Sequence, residues 1–499
     1  MKYLTSGFVG KIYKNNSNIV KMVPIEKDKK RLKRLIKEIE TLKLLQKEAW
    51  STNIISVEKR KESVYIRMEK LDKTVCEWSK ESHSVKEWID LYRQLFAILY
   101  TLHNKYKINH TDVHCGNLMW KGKRLYLIDY GVVSSNKADK YDYGGMIRLV
   151  NNKYLINETN LFYYIKENSD YSDRKIWNII SNPITLKRYV KQHSVPIDKL
   201  PHTIIPPKEL HPFLNKLNKD FGKRTEDILK QYFPVQYCLT KLSLLEPNLI
   251  LSDPPTIVES WGETFKNNSI VDHYSFKCRM KCKLGDKSPE EYKEENPDKS
   301  WREAQKAVGE CTNFNISRVI YLIKYLFPDN YQQISWLDPS AGWGSRLLGA
   351  ISLQIKKYRA TDPNSCLEPI YKKMIEELSN GGDYKVIKSG FESYDIDDKY
   401  DLVFTSPPFF DFEVYSNNDE QSIKLHITEE AWTNNFLIPL IKRGKEALKP
   451  NGYLVLYIEP KGDISYEHLF TDFTTLYMRY EDQEKGRPFY IWQNKSVVH

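Results

Sequence analysis

The last third of this chain alternates between segments with the composition of β-strands and amphipathic helical segments. Strands joined through helices run parallel, because a helical crossover returns the chain to the same end of the sheet. Two further β-prone runs follow each other without a helix between them, as in a hairpin. The alternating runs span 334–338, 357–361, 385–388, 400–405 and 452–458, and the last two span 474–480 and 488–493. The sequence therefore predicts an α/β sheet, mostly parallel, with a β-hairpin at its C-terminal end.

The N-terminal part has a different pattern, typical of an α+β domain. Residues 1–25 are predicted to be rich in hairpins, and residues 64–69 to form a strand. Residues 27–46 predict a helix with its leucines and isoleucines on one face, and residues 86–106 a second amphipathic helix. We therefore expect a separate domain with its own core before the α/β region.

The boundary between these regions is marked by prolines. The Pro-bearing stretch Val195–Pro212 is the best linker candidate, and a polar helical region follows it to about residue 250. Residues 283–300 are predicted to form an exposed charged loop. The expected domains are 1–195, a linker and accessory region 196–300, and 301–499.

Composition sets broad limits. Of 499 residues, 41% are apolar, which is enough for folded cores, and 76 basic against 65 acidic residues give a net charge of +11, which favours nucleic-acid partners only weakly. No secretory signal and no run of 18 apolar residues occurs, so we expect a soluble, intracellular protein without a membrane partner. The seven scattered cysteines predict free thiols, and the pair Cys278 and Cys282 lacks a fourth zinc ligand at a usual spacing.

The first polar residues of note lie near the N-terminus. Gly7 and Gly10 would let the backbone close over phosphates, although a plain β-turn explains them equally well. Lys21 is the one lysine of a short β-prone run, and Glu38 lies on the helix that follows. Taken alone, each of these two residues is more commonly an exposed surface charge.

A stronger pattern is the segment His110–Asn117, which reads HxDxxxxN, followed by Asp129-Tyr130-Gly131. This order and spacing resemble the catalytic loop and the DFG triplet of protein kinases. The resemblance covers about residues 1–195. It implies a bilobal kinase-like fold that binds ATP and Mg²⁺ and transfers a phosphoryl group.

The resemblance also assigns roles by position. Lys21 would hold the α- and β-phosphates and pair with Glu38, and Asp112 would orient the acceptor hydroxyl and take its proton. The other implied positions are Gly7 and Gly10 over the phosphates, Asn117 and Asp129 as magnesium ligands, and Glu69 and Leu71 in the hinge beside adenine.

Several positions depart from the kinase pattern. Thr5 replaces the first glycine of the phosphate loop, and Thr111 replaces the arginine of the catalytic loop. Only 13 positions separate Asp129 from Asp142, which resembles the aspartate of the next helix, and no APE motif occurs. The segment is similar to that of compact, atypical kinases such as the RIO-type or small-molecule phosphotransferases. A protein acceptor is therefore less expected, and a noncatalytic pseudokinase remains an alternative.

In the C-terminal region, Trp336–Arg346 follows a predicted strand and precedes a helix. Gly342 and Gly344 permit a tight turn and a close approach of the backbone to a ligand, and the following helix N-terminus favours an anionic group. Asp362 ends the next strand, where an acid commonly bridges ribose hydroxyls. A dinucleotide-binding domain would carry the same features, and Asp362-Pro363 is also a plain turn sequence.

The segment Asp401–Asp411 contains Ser406-Pro407-Pro408-Phe409 after the fourth strand. It resembles the (D/N/S)PP(Y/F) motif of S-adenosylmethionine (SAM)-dependent methyltransferases that modify exocyclic or amide nitrogens. The resemblance covers about residues 300–499 and implies a Rossmann-like class I fold. Its catalytic positions are Ser406, Pro407, Pro408 and Phe409, and its cofactor-binding positions are Asn313, Phe314, Asp338, Gly342, Gly344, Asp362 and Glu392.

The Ser-Pro-Pro-Phe form favours nucleic-acid methylation, giving N4-methylcytosine or N6-methyladenine in DNA. A base in duplex DNA must be flipped out to be reached. Phe410, Phe412 and Tyr415 either stack on such a base or belong to the core. No separate recognition domain follows the motif, so residues 200–300 are candidates for that role, and RNA or protein amides remain alternative acceptors.

These resemblances lead to one hypothesis and two alternatives. The hypothesis is a bifunctional kinase and methyltransferase, an architecture that suggests a large DNA virus or mobile element. The first alternative is a methyltransferase with a kinase-like regulatory module. The second is a protein kinase whose C-terminal half binds nucleic acid without catalysis.

Overall fold

A computed structural model describes most of the chain and divides it into two units, Met1–Pro234 and Val235–His499. Both units combine helices with sheets, so the protein is a mixed α/β protein of more than one domain. The described residues are 2–6, 11–15, 17–24, 29–135, 142–147, 155–156, 159–181, 183–195, 203–204, 207–259, 261–410, 412–415, 419–459 and 465–495.

Three sheets occur among the described residues of the first unit. Strands β1 to β5 form an antiparallel sheet in the order β1-β2-β3-β5-β4, β6 to β8 form a second, and β9 and β10 pair as a third. The strands are β1 (Lys2–Ser6), β2 (Lys11–Asn15), β3 (Asn18–Pro24), β4 (Ile54–Arg60), β5 (Ser63–Glu69), β6 (Lys73–Thr74), β7 (Leu118–Lys121), β8 (Arg124–Leu127), β9 (Leu155–Ile156) and β10 (Thr203–Ile204).

The longest described helix of this unit is α3, which begins at a capping box formed by Ser84 and Glu87. Leu91, Leu95 and Leu99 on α3 are fully buried because their four-residue spacing puts them on one face. The helices are α1 (Lys29–Leu45), α2 (Val75–Trp78), α3 (Val85–Asn104), α4 (Gly144–Ile147), α5 (Thr159–Glu167), α6 (Asp173–Ser181), α7 (Pro183–His193), α8 (His211–Lys219) and α9 (Thr225–Tyr232).

The second unit is built on one nine-stranded mixed sheet in the order β11-β12-β18-β19-β17-β16-β13-β14-β15. All its strands point the same way except β11 and β19. The strands are β11 (Asn248–Ile250), β12 (Thr256–Glu259), β13 (Ser335–Asp338), β14 (Lys357–Thr361), β15 (Asp383–Ile387), β16 (Tyr400–Thr405), β17 (Leu448–Leu456), β18 (Thr474–Tyr480) and β19 (Arg487–Gln493). The predicted alternation and the C-terminal hairpin of β18 and β19 are confirmed.

Helices lie between these strands, and Trp336 and Phe404 stack within the core of the unit. The helices are α10 (Pro234–Ser243), α11 (Trp261–Arg279), α12 (Pro289–Glu295), α13 (Trp301–Val308), α14 (Ile316–Leu326), α15 (Ser345–Ser352), α16 (Glu368–Leu378), α17 (Ser422–Leu425), α18 (Glu429–Trp432) and α19 (Ile438–Glu446).

Two features of residues 200–300 differ from the sequence prediction. The predicted loop at 283–300 is wrong in part, because α12 lies within it and begins at a capping box of Ser288 and Glu291. In addition, β12 pairs in parallel with β18 and extends the main sheet. Part of the region expected to be accessory therefore belongs to the core of the second unit.

The prediction of free thiols is also wrong. Six cysteines form three disulfides, Cys76–Cys115, Cys278–Cys366 and Cys282–Cys311, while Cys238 lies outside these bridges. Sequence spacing could not reveal this, because the pairs lie 39, 88 and 29 residues apart. Two of the bridges join the C-terminal end of α11 to segments that reach the cavity described below.

We expect reduction of these bridges to lower the stability of the second unit. Closing a loop of this length commonly contributes about 2–4 kcal/mol to the free energy of unfolding. Thermal unfolding with and without reductant should show the loss, and Cys282→Ser should reproduce part of it without reductant. Cys238→Ser is the control, and an unchanged midpoint in reductant would contradict the expectation.

Across the described residues, no helix is both long and apolar enough to cross a membrane.

Candidate functional sites

In the first unit, a buried lysine lies between two carboxylates. Lys21 of β3 is 2.6 Å from Glu38 Oε1 on α1 and 3.8 Å from Asp129 Oδ1, which follows β8. Although burial opposes its charge, the carboxylates of Glu38 and Asp129 raise the pKa of Lys21. The side chain is therefore a fixed cation at neutral pH. Lys21 and Glu38 are both buried, so neither is the exposed surface charge that such a residue commonly is.

The loop before β7 brings two further predicted residues to the same place. Asn117 Nδ2 donates to the backbone carbonyl of Asp112 at 2.9 Å and to its Oδ2 at 3.2 Å. The Ile128 amide donates to the Asn117 carbonyl, so Asn117 lies beside the segment that carries Asp129. Asp129 itself has a left-handed backbone, with φ of 65°. The structure thus brings together Lys21, Glu38, Asp112, Asn117 and Asp129.

A buried aspartate anchors this loop. Asp142 accepts backbone hydrogen bonds from His110 at 2.8 Å and Thr111 at 2.6 Å, and lies 2.9 Å from His103 Nε2. Burial opposes its ionisation, but the hydrogen bond and charge of His103 and the interactions with His110 hold the pKa of Asp142 below its usual range. It therefore stays a carboxylate that fixes the backbone on the N-terminal side of Asp112.

Oxygen donors of Asp129 and Asn117 suit a hard cation such as Mg²⁺, which is commonly bound by one or two protein groups and completed by phosphates and water. Among the described residues, no group of three or more His, Cys, Asp or Glu side chains is arranged to hold a metal ion. These two residues therefore fit a magnesium ion that arrives with a phosphate ligand, and they do not form a complete metal cage.

The other predicted positions of this unit are less informative. Glu69 at the end of β5 pairs with Lys121 at 2.6 Å, and Leu71 is buried. Gly7 and Gly10 lie outside the described residues.

In the second unit, a cavity of about 550 Å³ runs along the carboxyl edge of the sheet. Its lining comes from segments that follow β15, β14, β13, β16 and β17 and from the ends of β18 and β19. The order of the strands reverses between β13 and β16. β14 and β15 follow on one side of β13, whereas β16 and β17 lie on its other side, and all of these strands are parallel. Ligands of open α/β sheets bind at such a switch point.

The loop after β13 has the tight geometry that its glycines predicted. Gly342 and Gly344 both have positive φ, and a Cβ at Gly344 would lie 2.8 Å from the Met374 side chain on α16. Asp338 is fully buried beneath the loop and accepts hydrogen bonds from Arg346 and the Tyr358 hydroxyl, each at 2.8 Å. Among the described residues, Gly342 lines the cavity, whereas Asp338 and Gly344, which were also predicted to bind the cofactor, are not part of its lining.

Asp362 lies at the end of β14 and faces this loop. Its carboxylate accepts backbone hydrogen bonds from Gly342 and Asn364, each at 2.9 Å. Burial raises the pKa of Asp362 to about 6, and the two amides only partly oppose this. The Tyr371 hydroxyl also interacts with this carboxylate, and Asp362 lines the cavity, so when ionised it can accept a hydroxyl group of a ligand.

Ser406, Pro408 and Phe409 line the cavity directly after β16, next to Asp362 and Gly342 in the strand order. The ring of Phe409 lies 6.4 Å from that of Tyr457. Pro407, between two lining residues, does not itself line the cavity within the described part of the chain. The motif thus presents a hydroxyl and an aromatic ring to the same cavity as Asp362 and Gly342.

Before α14, Asn313 and Phe314 form another wall. Asn313 Nδ2 lies 3.3 Å from Asp272 Oδ1, and its buried Oδ1 has no hydrogen-bond partner among the described residues. Phe314 packs edge-on against Tyr457 at 5.3 Å, and Arg346 lies 5.3 Å above its ring. The unpaired amide oxygen suits a ligand that donates a hydrogen bond.

Of the remaining acidic and aromatic candidates, some line the cavity and one packs against the core. Glu392, in a short 3₁₀ helix after β15, lines the cavity, as do Phe412 and Tyr415. Phe410 packs against Trp432, with ring centroids 6.2 Å apart, and lies outside the lining. Of the three aromatic residues after the motif, Phe410 is therefore a core residue.

Sequence reasoning missed one side of the cavity. It is formed by Arg318, Tyr457, Glu459, Tyr480 and Arg487. Tyr457 and Glu459 directly follow β17, so their position at a carboxyl strand end was the available signal. The contributions of β18 and β19 depend on antiparallel pairing, which places the first residue of β19 at this edge.

Compared with models of known protein families and with curated proteins, the chain matches none of them.

Proposed function

We propose that the chain is a bifunctional transferase. The second unit, with a Rossmann-like class I fold, would transfer a methyl group from SAM to a planar amino nitrogen, with the exocyclic amino groups of DNA bases as favoured acceptors. The first unit, with a kinase-like fold, would transfer a phosphoryl group from ATP. The observation that carries the proposal is the single cavity that joins Asp362 and Gly342 to Ser406 and Phe409 at the switch point of the sheet.

The residues of that cavity fit SAM. Asp362 suits the ribose hydroxyls, Glu392 lies at the adenosine side, and the unpaired Asn313 oxygen suits the ammonium of the methionine part. Gly342 has no Cβ to fill the space where a ligand would pass. When bound, SAM supplies an electrophilic methyl group.

The acceptor would be prepared by the motif after β16. An amino group conjugated to a ring holds its lone pair in the π system and is a weak nucleophile. The Ser406 hydroxyl and the Pro407 carbonyl would accept its two N–H groups and favour pyramidal geometry, while the Phe409 ring stacks on the planar base. These groups would orient the nitrogen and reduce the conjugation of its lone pair with the ring, so that the lone pair can attack the methyl carbon.

The raised pKa of Asp362 predicts how SAM affinity depends on pH. Below about pH 6 the carboxyl of the free protein is protonated, and a ligand that needs the carboxylate must first remove that proton. Affinity should therefore rise by up to about tenfold per pH unit as pH increases toward 6, and level off above it. Calorimetric titration with SAM between pH 5 and 8 measures this, and Asp362→Asn should give a weaker affinity without the step.

The first unit supports phosphoryl transfer through its charges. Lys21, held by Glu38, would bind phosphate oxygens, and Asn117 and Asp129 would hold Mg²⁺. Asp112, whose carboxylate is 3.2 Å from Asn117 Nδ2, would orient the acceptor hydroxyl and take its proton. Phosphoryl transfer depends mainly on such positioning and charge neutralisation.

Purified protein with methyl-labelled SAM tests the proposal. Duplex DNA, single-stranded DNA, RNA and a protein extract are offered in parallel, with Pro407→Ala as the inactive control. Label in DNA, found by mass spectrometry as N4-methylcytosine or N6-methyladenine, would support both the reaction and its acceptor. Label only in RNA or protein would replace the acceptor, and no label in any pool despite SAM binding would refute methyl transfer.

A further inference from the structure

The cavity of the second unit continues beyond β16, the strand that ends just before Ser406. Beyond β16, the neighbouring strands β17 and β19 contribute Tyr457, Glu459 and Arg487 to its lining. Neighbouring strands lie about 4.8 Å apart, so Arg487 is displaced by roughly 10 Å across the sheet from the end of β16. An amine bound at Ser406 therefore has room for the rest of a ring over β17 and β19.

This side of the cavity is a connected chain of polar groups. Glu259 Oε1 accepts from Arg318 Nε at 2.7 Å, and Arg318 Nη1 lies 3.4 Å from the Tyr457 hydroxyl. The Tyr457 hydroxyl donates to Glu459, which also accepts from Arg487. Two acids and two arginines balance in charge, and each is oriented by the next.

This row of hydrogen-bonded side chains extends from the core of the unit to the mouth of the cavity. Glu259 is 1% and Arg318 6% exposed, whereas the side chains of Glu459 and Arg487 are 29% and 48% exposed. A buried ion pair commonly stabilises a fold no better than apolar residues of the same size would. Stability alone therefore does not explain why a connected network of ions ends at the lining. Fixed donors and acceptors that need no reorganisation are what a recognition site requires.

We infer that Arg487 is a specificity-determining residue for the acceptor. Its guanidinium donates to a ring-nitrogen acceptor on the heteroaromatic amine held at Ser406 and Phe409, and Glu459 acts as a positioning residue that fixes the guanidinium. The acceptor that this contact requires is a heteroaromatic amine such as a nucleobase, since an aliphatic amine or a carboxamide has no ring nitrogen to accept from Arg487. This inference rests on the proposed methyl transfer.

The inference is tested by removing the ring nitrogen of the base and the guanidinium of Arg487, each alone and both together. The substrates are single-stranded oligonucleotides with one methylatable adenine or cytosine, and the same oligonucleotides with one ring nitrogen replaced by C–H (deaza analogues). Arg487→Met should lower kcat/KM about tenfold on the natural base, mainly through KM, because one hydrogen bond from a charged donor is lost. For the deaza analogue that lacks the ring nitrogen contacted by Arg487, kcat/KM of the wild type and of Arg487→Met should differ by less than about twofold. Glu459→Gln should show the same pattern with a smaller loss.

The control is Lys485→Met, which removes an exposed cation two residues before Arg487 and outside the lining among the described residues. It should leave kcat/KM unchanged, and none of these variants should alter the SAM dissociation constant. An equal loss on the natural base and on every analogue would mean that Arg487 only supports the fold, and would overturn the inference. Methyl transfer by the wild type to proteins alone would also overturn it, whereas wild-type protein without any methyl transfer would fail the proposed function itself.

Discussion

Asp112→Asn is expected to lower phosphoryl transfer from ATP by roughly 10²–10⁴-fold, the usual contribution of a positioned general base. The substitution keeps the shape of the side chain, and Asn117 can still hydrogen bond to the residue 112 carbonyl, as it does at 2.9 Å in the native loop. What is lost is the negative charge that would take the proton of the acceptor hydroxyl. ATP affinity should change by less than about threefold, because Lys21, Asn117 and Asp129 remain. Autophosphorylation and ATP hydrolysis with labelled ATP measure the first quantity, and equilibrium ATP binding the second.

The matched control for this experiment is Asp173→Asn on α6, an aspartate of the same unit whose side chain is 60% exposed and pairs with Lys166. It should leave phosphoryl transfer unchanged. If wild type and Asp112→Asn turn over ATP at the same rate, Asp112 is not the base. If the wild type binds ATP without turnover, the first unit is a regulatory module, as the first alternative holds.

The fold was predictable where its signals are local. The strands β13, β14 and β16 are short β-prone segments that end in loops, and the structure confirms them within about one residue. By contrast, β12 has only four residues, and its partner β18 lies more than 200 positions away in the sequence. Local composition cannot report so distant a pairing. The same reason explains the disulfides, whose partners are set by tertiary structure and not by spacing.

The candidate sites divide along the same line. Residues in ordered motifs, such as Asp112 and Ser406, could be named from the sequence, and the structure places each next to its predicted neighbours. The wall residues Arg318 and Arg487 could not, because each is an isolated arginine in an unremarkable segment. Their meaning comes from the sheet order, which brings α14, β17 and β19 to one edge. Motifs therefore indicated the residues proposed as the reactive centre, whereas only topology indicated the wall proposed to recognise the acceptor.

Phe409→Ala is expected to lower methyl transfer by about 100-fold while the SAM dissociation constant stays within about twofold. Stacking of one base on an aromatic side chain contributes about 1–3 kcal/mol, and loss of the stacked orientation also misplaces the amino nitrogen. Phe409 lies over the junction of β16 and β17, 6.4 Å from the Tyr457 ring, and lines the cavity beside Ser406. Phe409→Tyr keeps an aromatic face and should retain most of the activity. Single-turnover transfer from labelled SAM measures the rate.

The adjacent Phe410→Ala serves as the matched control, because this ring packs against Trp432 and lies outside the cavity lining. Removal of a large core side chain should cost about 3–5 kcal/mol of stability at full burial, and less here because Phe410 is only partly buried. Phe409 also packs partly against the core, so both variants should lose some thermal stability. They should separate in methyl transfer measured below the thermal midpoint, which Phe409→Ala loses and Phe410→Ala keeps. Equal losses of transfer in both variants would place neither ring on the acceptor and would argue that the segment after β16 acts only as a lid.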